Sequence, residues 1–378
     1  MADQQQEKSR EVRGRRSRVL RAAALTLSAL VLAGAGVGGY AYWRLDHDIR
    51  GVDIDGALGG SRPAAPNNGS FNVLVLGSDS RSGPNGALAG GATDGTARSD
   101  TAMVLHVNQD HTLGTVVSIP RDTLVARPAC TAPDGTPVPP LRGAMFNSAY
   151  EVGGAACAVK TAEQLTGLRM DHYLEIDFSG FANFINAIGG VTVTTTVDIH
   201  DQDSGLDLKA GTTHLDGTRA LAFARTRHGV GDGGDLGRIE LQKELVRSVI
   251  TQVESVGLFA NPARLWTVGT TLTRSITTDS RLASVSALTG LGDELKGIGT
   301  DRLTMVTMPV VTAPDDPDRL VPQLPSADRL WAALRADRPV PPAIVGDQPS
   351  NPADATPSGA STATPPATPP GAPAGVAP

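Results

Sequence analysis

The 378-residue chain is poor in cysteine, lysine and net positive charge, and each shortage narrows what it can be. Its two cysteines, Cys130 and Cys157, have no nearby His-x-Cys spacing and so do not suggest a zinc site. Only five of the 33 basic residues are lysine, so nearly every cation is an arginine. The net charge of −6 argues against a nucleic-acid partner. No internal repeat is visible. One absence is local: no charged residue occurs from Ala22 to Trp43.

That uncharged run follows a flank, residues 1–21, with seven basic residues against three acids. At about 1.5 Å per residue it covers a hydrocarbon core of about 30 Å. Tyr40, Tyr42 and Trp43 end it as an aromatic belt, and the basic flank marks the cytoplasmic side. The expectation is a single-pass signal anchor over 22–43, with a cytoplasmic tail over 1–21 and the rest extracytoplasmic. A cleaved signal peptide is the competing reading, but the apolar stretch is long and no clear A-x-A follows it. Outside the cytoplasm, Cys130 and Cys157 are expected to pair as a disulfide, two buried free thiols being the alternative.

Residues 44–69 read as a polar linker ending in RPAAPNNGS. The tail over 342–378 is rich in Pro, Ala and Thr, a composition expected to be disordered. Between them, 70–341 alternates strand and helix patterns. Strands are expected at 71–77, 101–108, 113–119, 172–178, 191–199 and 303–309. Helices are expected at about 154–166, 237–255, 281–295 and 327–336. A further helix is expected after Ser179 as N-cap, its Phe181, Phe184, Ile185 and Ile188 forming an apolar stripe, stopped at Gly189-Gly190. The fold class is α/β: an α/β/α sandwich with a mixed central sheet, preceded by one transmembrane helix.

Charges collect where the strands end. FNVLVLG runs into SDSR (Ser78–Arg81), RSD (Arg98–Asp100) precedes TAMVLHV, and PRD (Pro120–Asp122) follows TVVSI. A fourth cluster, FARTRHGVGDGGDLGRIELQ, holds Arg225, Arg227, Asp235, Arg238 and Gln242. Strand ends of an open α/β sheet form the crevice where ligands bind. Arginines that grip phosphate with paired N–H bonds, beside carboxylates that suit Mg²⁺, point to a metal-bound diphosphate. Asp79 and Asp100 flank one loop and can meet at adjacent strand ends. Arg225 and Arg227 would face one side in an extended segment and diverge on a helix. Asp235 is placed to cap the helix whose first turns carry Arg238 and Gln242, an N-terminus suited to anions. Any one of these residues alone would more commonly be a turn former or a surface ion pair; their recurrence at each strand end favours a site.

Taken together and in order, LVLGSDSR, RSDTAMVLHV, VVSIPRD, HYLEIDFSGFANFINAIGGV and FARTRHGVGDGGDLGRIELQ resemble the LytR-CpsA-Psr family of cell-envelope phosphotransferases. The resemblance implies an enzyme that moves a glycopolymer from a polyprenyl-diphosphate carrier to the C6 hydroxyl of muramic acid in peptidoglycan. It implies Mg²⁺ as cofactor, on Asp79 and Asp100. Arg98, Arg121, Arg225 and Arg227 match the family's diphosphate-binding arginines, and Asp235, Arg238 and Gln242 its later motif; Arg81 joins the diphosphate set from its place in SDSR. Arg121, Arg225, Arg227 and Asp235 are the expected catalytic residues, with Asp235 or Asp122 as general base. The Phe181–Ile188 stripe is expected to be mostly core, although a polyprenyl tail needs an apolar cavity. Two alternatives stand beside this reading: a metal-dependent polyprenyl-diphosphate diphosphatase, and a non-catalytic envelope scaffold that binds the lipid.

Overall fold

The structure is a computed structural model and describes residues 36, 38–40, 42–44, 46–78, 99–227, 235–257, 262–273 and 275–346. Seven strands form the central sheet: β1 (Arg50–Val52), β2 (Phe71–Ser78), β3 (Ser99–Val107), β4 (Gly114–Ser118), β5 (His172–Asp177), β6 (Ile276–Asp279) and β7 (Leu303–Thr307). Their spatial order is β1-β6-β5-β2-β3-β4-β7. β2 is parallel to β5 and antiparallel to β3, so the sheet is mixed as expected.

The period-2 rule assigns the faces. Leu74, Leu76, Val104 and Val117 turn to one side, where they join α1 (Ser148–Thr166) through Ala158, Val159 and Ala162. Val73, Met103, Val107 and Val116 turn to the other. The helices used below are α2 (Phe178–Ala187), α3 (Gly217–Arg225), α4 (Asp235–Ser255), α5 (Pro262–Thr273), α6 (Val285–Leu295) and α7 (Ser326–Arg335). α4 and α6 lie on the second face through Val246, Leu291 and Leu295, and α7 lies on the first through Leu330, Trp331 and Leu334. The result is the expected three-layer sandwich.

Several sequence expectations change. Within 44–69, Arg50–Val52 forms an edge strand parallel to β6, and Arg62 is buried against Glu163 with Nη2 to Oε1 at 2.6 Å. The linker is therefore part of the domain. The C-terminal boundary also moves, because Pro342–Gly346 is helical and Ile344 joins the main core. The expected strand 191–199 ends at Thr195 and pairs with Gly211–Leu215 outside the central sheet. A second hairpin, Ile199–Asp201 with Leu206–Leu208, follows it. Asp177, not Ser179, caps α2: its Oδ1 accepts from Gly180 N at 2.7 Å, and Ser179 Oγ donates to the same atom. The stop after α2 holds, with both Gly189 and Gly190 at positive φ; a Cβ on Gly190 would lie 2.3 Å from the His214 ring.

Cys130 and Cys157 form a disulfide, with Cα atoms 5.5 Å apart. A Cβ on Gly153 would come within 3.1 Å of both sulfurs, so a glycine makes room for the bridge. Most of the span 22–43 lies outside the described residues; its residues 36, 38–40, 42 and 43 are helical. Among the described residues no helix is long and apolar enough to cross a membrane.

Candidate active site

β3 begins where β2 ends, with Ser78 opposite Ser99. This places Asp100 at the sheet edge from which Arg121 emerges after β4. Arg121 Nη1 donates to Asp100 Oδ1 at 2.6 Å, and its Nε to Asp122 Oδ2 at 3.3 Å. Arg238, buried in the first turns of α4, donates from Nη2 to the Asp100 carbonyl at 3.1 Å. Gln242, one turn further, donates from Nε2 to Ala224 O at 3.0 Å. That bond ties α4 to the end of α3, immediately before Arg225.

Arg225 and Arg227 sit neither on one strand nor on one helix. α3 ends at Arg225, and Thr226 turns the chain with φ −57° and ψ 131°. Both arginines consequently reach the same cavity. Arg225 lies over the Phe178 ring at 5.2 Å. Thr226 is fully buried and bonds Ala222 O and Ser204 Oγ, which fixes the turn.

The cavity has a volume of about 570 Å³ and two characters. Asp100, Arg225, Arg227, Arg238 and Gln242 stand on its polar side. Its apolar lining comes from Val75 and Met103 of the sheet, Phe181 and Phe184 of α2, and Leu245, Val249 and Ile250 of α4. The α2 stripe therefore divides: Ile185 and Ile188 are core, while Phe181 and Phe184 face the cavity. The volume lies in the range of ligand pockets.

Asp201, Asp203 and Ser204 also line the cavity, and sequence reading missed them. Buried Asp201 accepts from Arg227 N at 2.7 Å and from Asp203 N at 2.9 Å. The signal was present in Asp201-Gln202-Asp203-Ser204-Gly205, a run with the chemistry of an Asx turn. A second missed pair, Glu240 and Lys243, is buried on α4 with Oε1 and Nζ 2.5 Å apart. Burial lowers the Lys243 pKa, against the pull of Glu240. His106, expected to be packed, is buried between Asn72 and Asp337.

Of the predicted site residues, Asp100, Arg121, Arg225, Arg227, Arg238 and Gln242 come together. Asp79, Arg81 and Arg98 lie outside the described residues, as does the side chain of Asp235, whose backbone opens α4. Among the described residues no group of three or more His, Cys, Asp or Glu gathers to hold a metal. Mg²⁺ commonly takes one or two carboxylates and completes its shell with phosphate oxygens and water. Asp100, an oxygen donor at the cavity beside four arginines, fits that chemistry.

The model of the LytR_cpsA_psr family matches residues 42–335. The probable cell wall biosynthesis protein LcpB of Corynebacterium glutamicum is 37% identical over 52% of this chain and 45% of its own length. The cell wall biosynthesis protein LcpA of the same organism is 29% identical over 78% of this chain and 60% of its own length. The chain thus spans about half the length of these curated relatives. TagU of Enterococcus faecalis, a polyisoprenyl-teichoic acid–peptidoglycan teichoic acid transferase, is 31% identical over 61% of this chain and 70% of its own length. In fold, the chain is similar to the LytR-Csp2A-Psr enzyme from Actinomyces oris: TM-score 0.57 and 23% identity, covering 76% of this chain and 95% of that one.

Proposed function

The chain belongs to the LytR_cpsA_psr family, and from that premise we propose that it works in cell wall assembly as a glycopolymer–peptidoglycan phosphotransferase. The observation that carries this reading is the cavity, with arginines and Asp100 on one side and an apolar lining behind them. A polyprenyl diphosphate has the same two-part character. The names of relatives such as TagU, which act on polyisoprenyl-linked teichoic acid and peptidoglycan, support donor and acceptor of this kind.

In the proposed reaction the tail enters the apolar part, and Arg121, Arg225 and Arg227 hold the diphosphate. Arg81 and Arg98 are assigned to the same group, with Gln242 fixing the end of α3 beside it and Arg238 holding the backbone at Asp100. The acceptor hydroxyl oxygen bonds to the polymer-bearing phosphorus. The bond from that phosphorus to the bridging oxygen breaks, and the lipid leaves as its monophosphate. The hydroxyl proton passes to a carboxylate, Asp122 or Asp235. Phosphoryl transfer depends mainly on positioning and on neutralising charge, which these arginines do. Asp79 and Asp100 would hold Mg²⁺, which when bound supplies further neutralisation at the leaving phosphate. The protein is proposed to be anchored by 22–43 with this domain outside the cytoplasm.

The test uses a labelled polyprenyl-diphosphate glycopolymer with and without peptidoglycan. Joined product that requires acceptor, and that is lost with EDTA, Asp79→Ala or Asp100→Ala, is expected. Release of lipid phosphate at the same rate without acceptor would identify a diphosphatase. Tight lipid binding with no turnover would leave a scaffold.

A further inference from the structure

A second cavity of about 230 Å³ lies across the opening turn of α4 from the first. It is bounded by Leu236, Thr307 and Met308, with Gln323, Ser326 and Arg329 along one side. Its place follows from the sheet. Thr307 of β7 pairs with Ser118 of β4, which pairs with Met103 of β3, and Met103 lines the first cavity. Thr307 and Met103 are therefore two strand spacings apart, about 10 Å, with β4 between them. The opening turn of α4 stands between the two cavities. Leu236 faces the second cavity and Arg238 the first, as expected for residues about 200° apart around a helix. The loop carrying Arg121 and Asp122 is bound to the strand that leads to Gln323, with Leu320 N donating to Asp122 O at 3.2 Å.

We propose that this second cavity receives a sugar unit of the peptidoglycan acceptor. The inference rests on the function proposed above and adds where the acceptor lies. In phosphoryl transfer the attacking and leaving oxygens stand roughly in line across phosphorus. If the lipid phosphate leaves toward the apolar cavity, the attacking hydroxyl arrives from the side away from it, and the second cavity is the neighbour reached past the opening turn of α4.

The lining suits a saccharide. Leu236, Pro309 and Val310 offer a partly exposed apolar surface for a ring face, while Gln323, Ser326 and Arg329 offer hydrogen-bonding groups at the edge. The Gln323 backbone N donates to Pro309 O at 2.9 Å, but its side-chain amide has no hydrogen bond among the described residues; the Arg329 guanidinium uses one donor, to Ser326 Oγ at 3.2 Å. The remaining guanidinium donors can meet the carboxylates of a peptide stem. The acceptor is written as a hydroxyl-bearing N-acetylhexosamine with an acidic stem.

The test uses the full chain in detergent and measures two affinities. One is for a soluble glycan fragment of alternating N-acetylglucosamine and N-acetylmuramic acid with its stems; the other is for a polyprenyl diphosphate. Ala343→Trp, which fills the cavity from an exposed position, and Arg329→Ala should each weaken the glycan fragment at least tenfold. Both should leave lipid affinity and melting temperature unchanged. Equal glycan binding by parent and variants, or none by the parent, overturns the proposal. Loss of lipid affinity in the variants also overturns it, by assigning the cavity to the donor. If the expected binding pattern appears but the parent transfers nothing, the transferase reading fails and the saccharide site stands.

Discussion

Arg121 clasps Asp100: Nη1 and Oδ1 are 2.6 Å apart, and the two side chains keep only 19% and 24% of their exposure. The same guanidinium also reaches Asp122, so it bridges two carboxylates at the end of the sheet. An arginine held on both flanks is already oriented when an anion arrives.

Removing that guanidinium should affect ligand far more than fold. Arg121→Ala is expected to weaken polyprenyl-diphosphate binding ten- to a hundredfold, the loss of a charge-assisted contact of about 1.5–3 kcal/mol. The pair keeps only about a fifth of its exposure, so the melting temperature should fall somewhat as well, with the folded state retained. Arg227→Ala should behave alike. Unchanged affinity in both variants would mean that these arginines serve only ion pairing within the protein.

The apolar half of the cavity should measure chain length. Val249→Trp places an indole against the space that Phe181 and Phe184 also line. Long-chain lipid diphosphates are then expected to bind at least tenfold more weakly, while short-chain ones keep their affinity. Calorimetry with a length series checks this; a uniform loss would point to general misfolding instead.

Closing 27 residues between Cys130 and Cys157 limits the unfolded chain. Cys130→Ser with Cys157→Ser should lower stability by about 3–4 kcal/mol by the loop-entropy relation. Urea midpoints of parent and double variant decide it, and a difference under about 1 kcal/mol would show that the bridge is dispensable.

His106 should make the fold sensitive to mild acid. Burial holds its pKa below the ordinary value, despite the Asp337 carboxylate 3.0 Å away. The unfolded chain takes up the proton below about pH 6.5, while the folded one resists it. Its contribution is therefore complete above about pH 6.5 and is lost as pH falls toward the folded pKa. His106→Gln should flatten the melting temperature between pH 7 and pH 5.5, although it lowers the whole curve. Parallel curves for parent and variant would exclude His106 as the source.

The parts legible in the sequence were those whose cause is local. The apolar run of β2 and the helical stripe from Phe181 to Ile188 predicted their elements because burial sets their periodicity. Asp100, Arg121, Arg225 and Arg227 were legible because each lies at or just beyond a strand or helix end, where side chains from different elements meet. Arg62 was not legible, since its burial depends on Glu163, one hundred and one residues away. α3 escaped because the Arg225/Arg227 spacing left extended and helical readings open, and the chain changes conformation at Thr226 between them. The second cavity is assembled from α4, β7 and α7, and no short stretch of sequence carries it.

The early entry of the chain into the sheet has a consequence for how the protein searches. Residues 46–48 are helical, Asp46 Oδ1 accepts from Val285 N at 2.8 Å, and the edge strand begins at Arg50. Between Trp43 and that strand lie six residues, about 9 Å at helical rise. With 22–43 in the bilayer as proposed, such a tether has almost no slack. The catalytic cleft would hold a nearly constant height and tilt above the lipid headgroups. Encounter with a carrier lipid becomes a two-dimensional diffusion problem, and the wall must come within reach because the enzyme cannot rise to meet it.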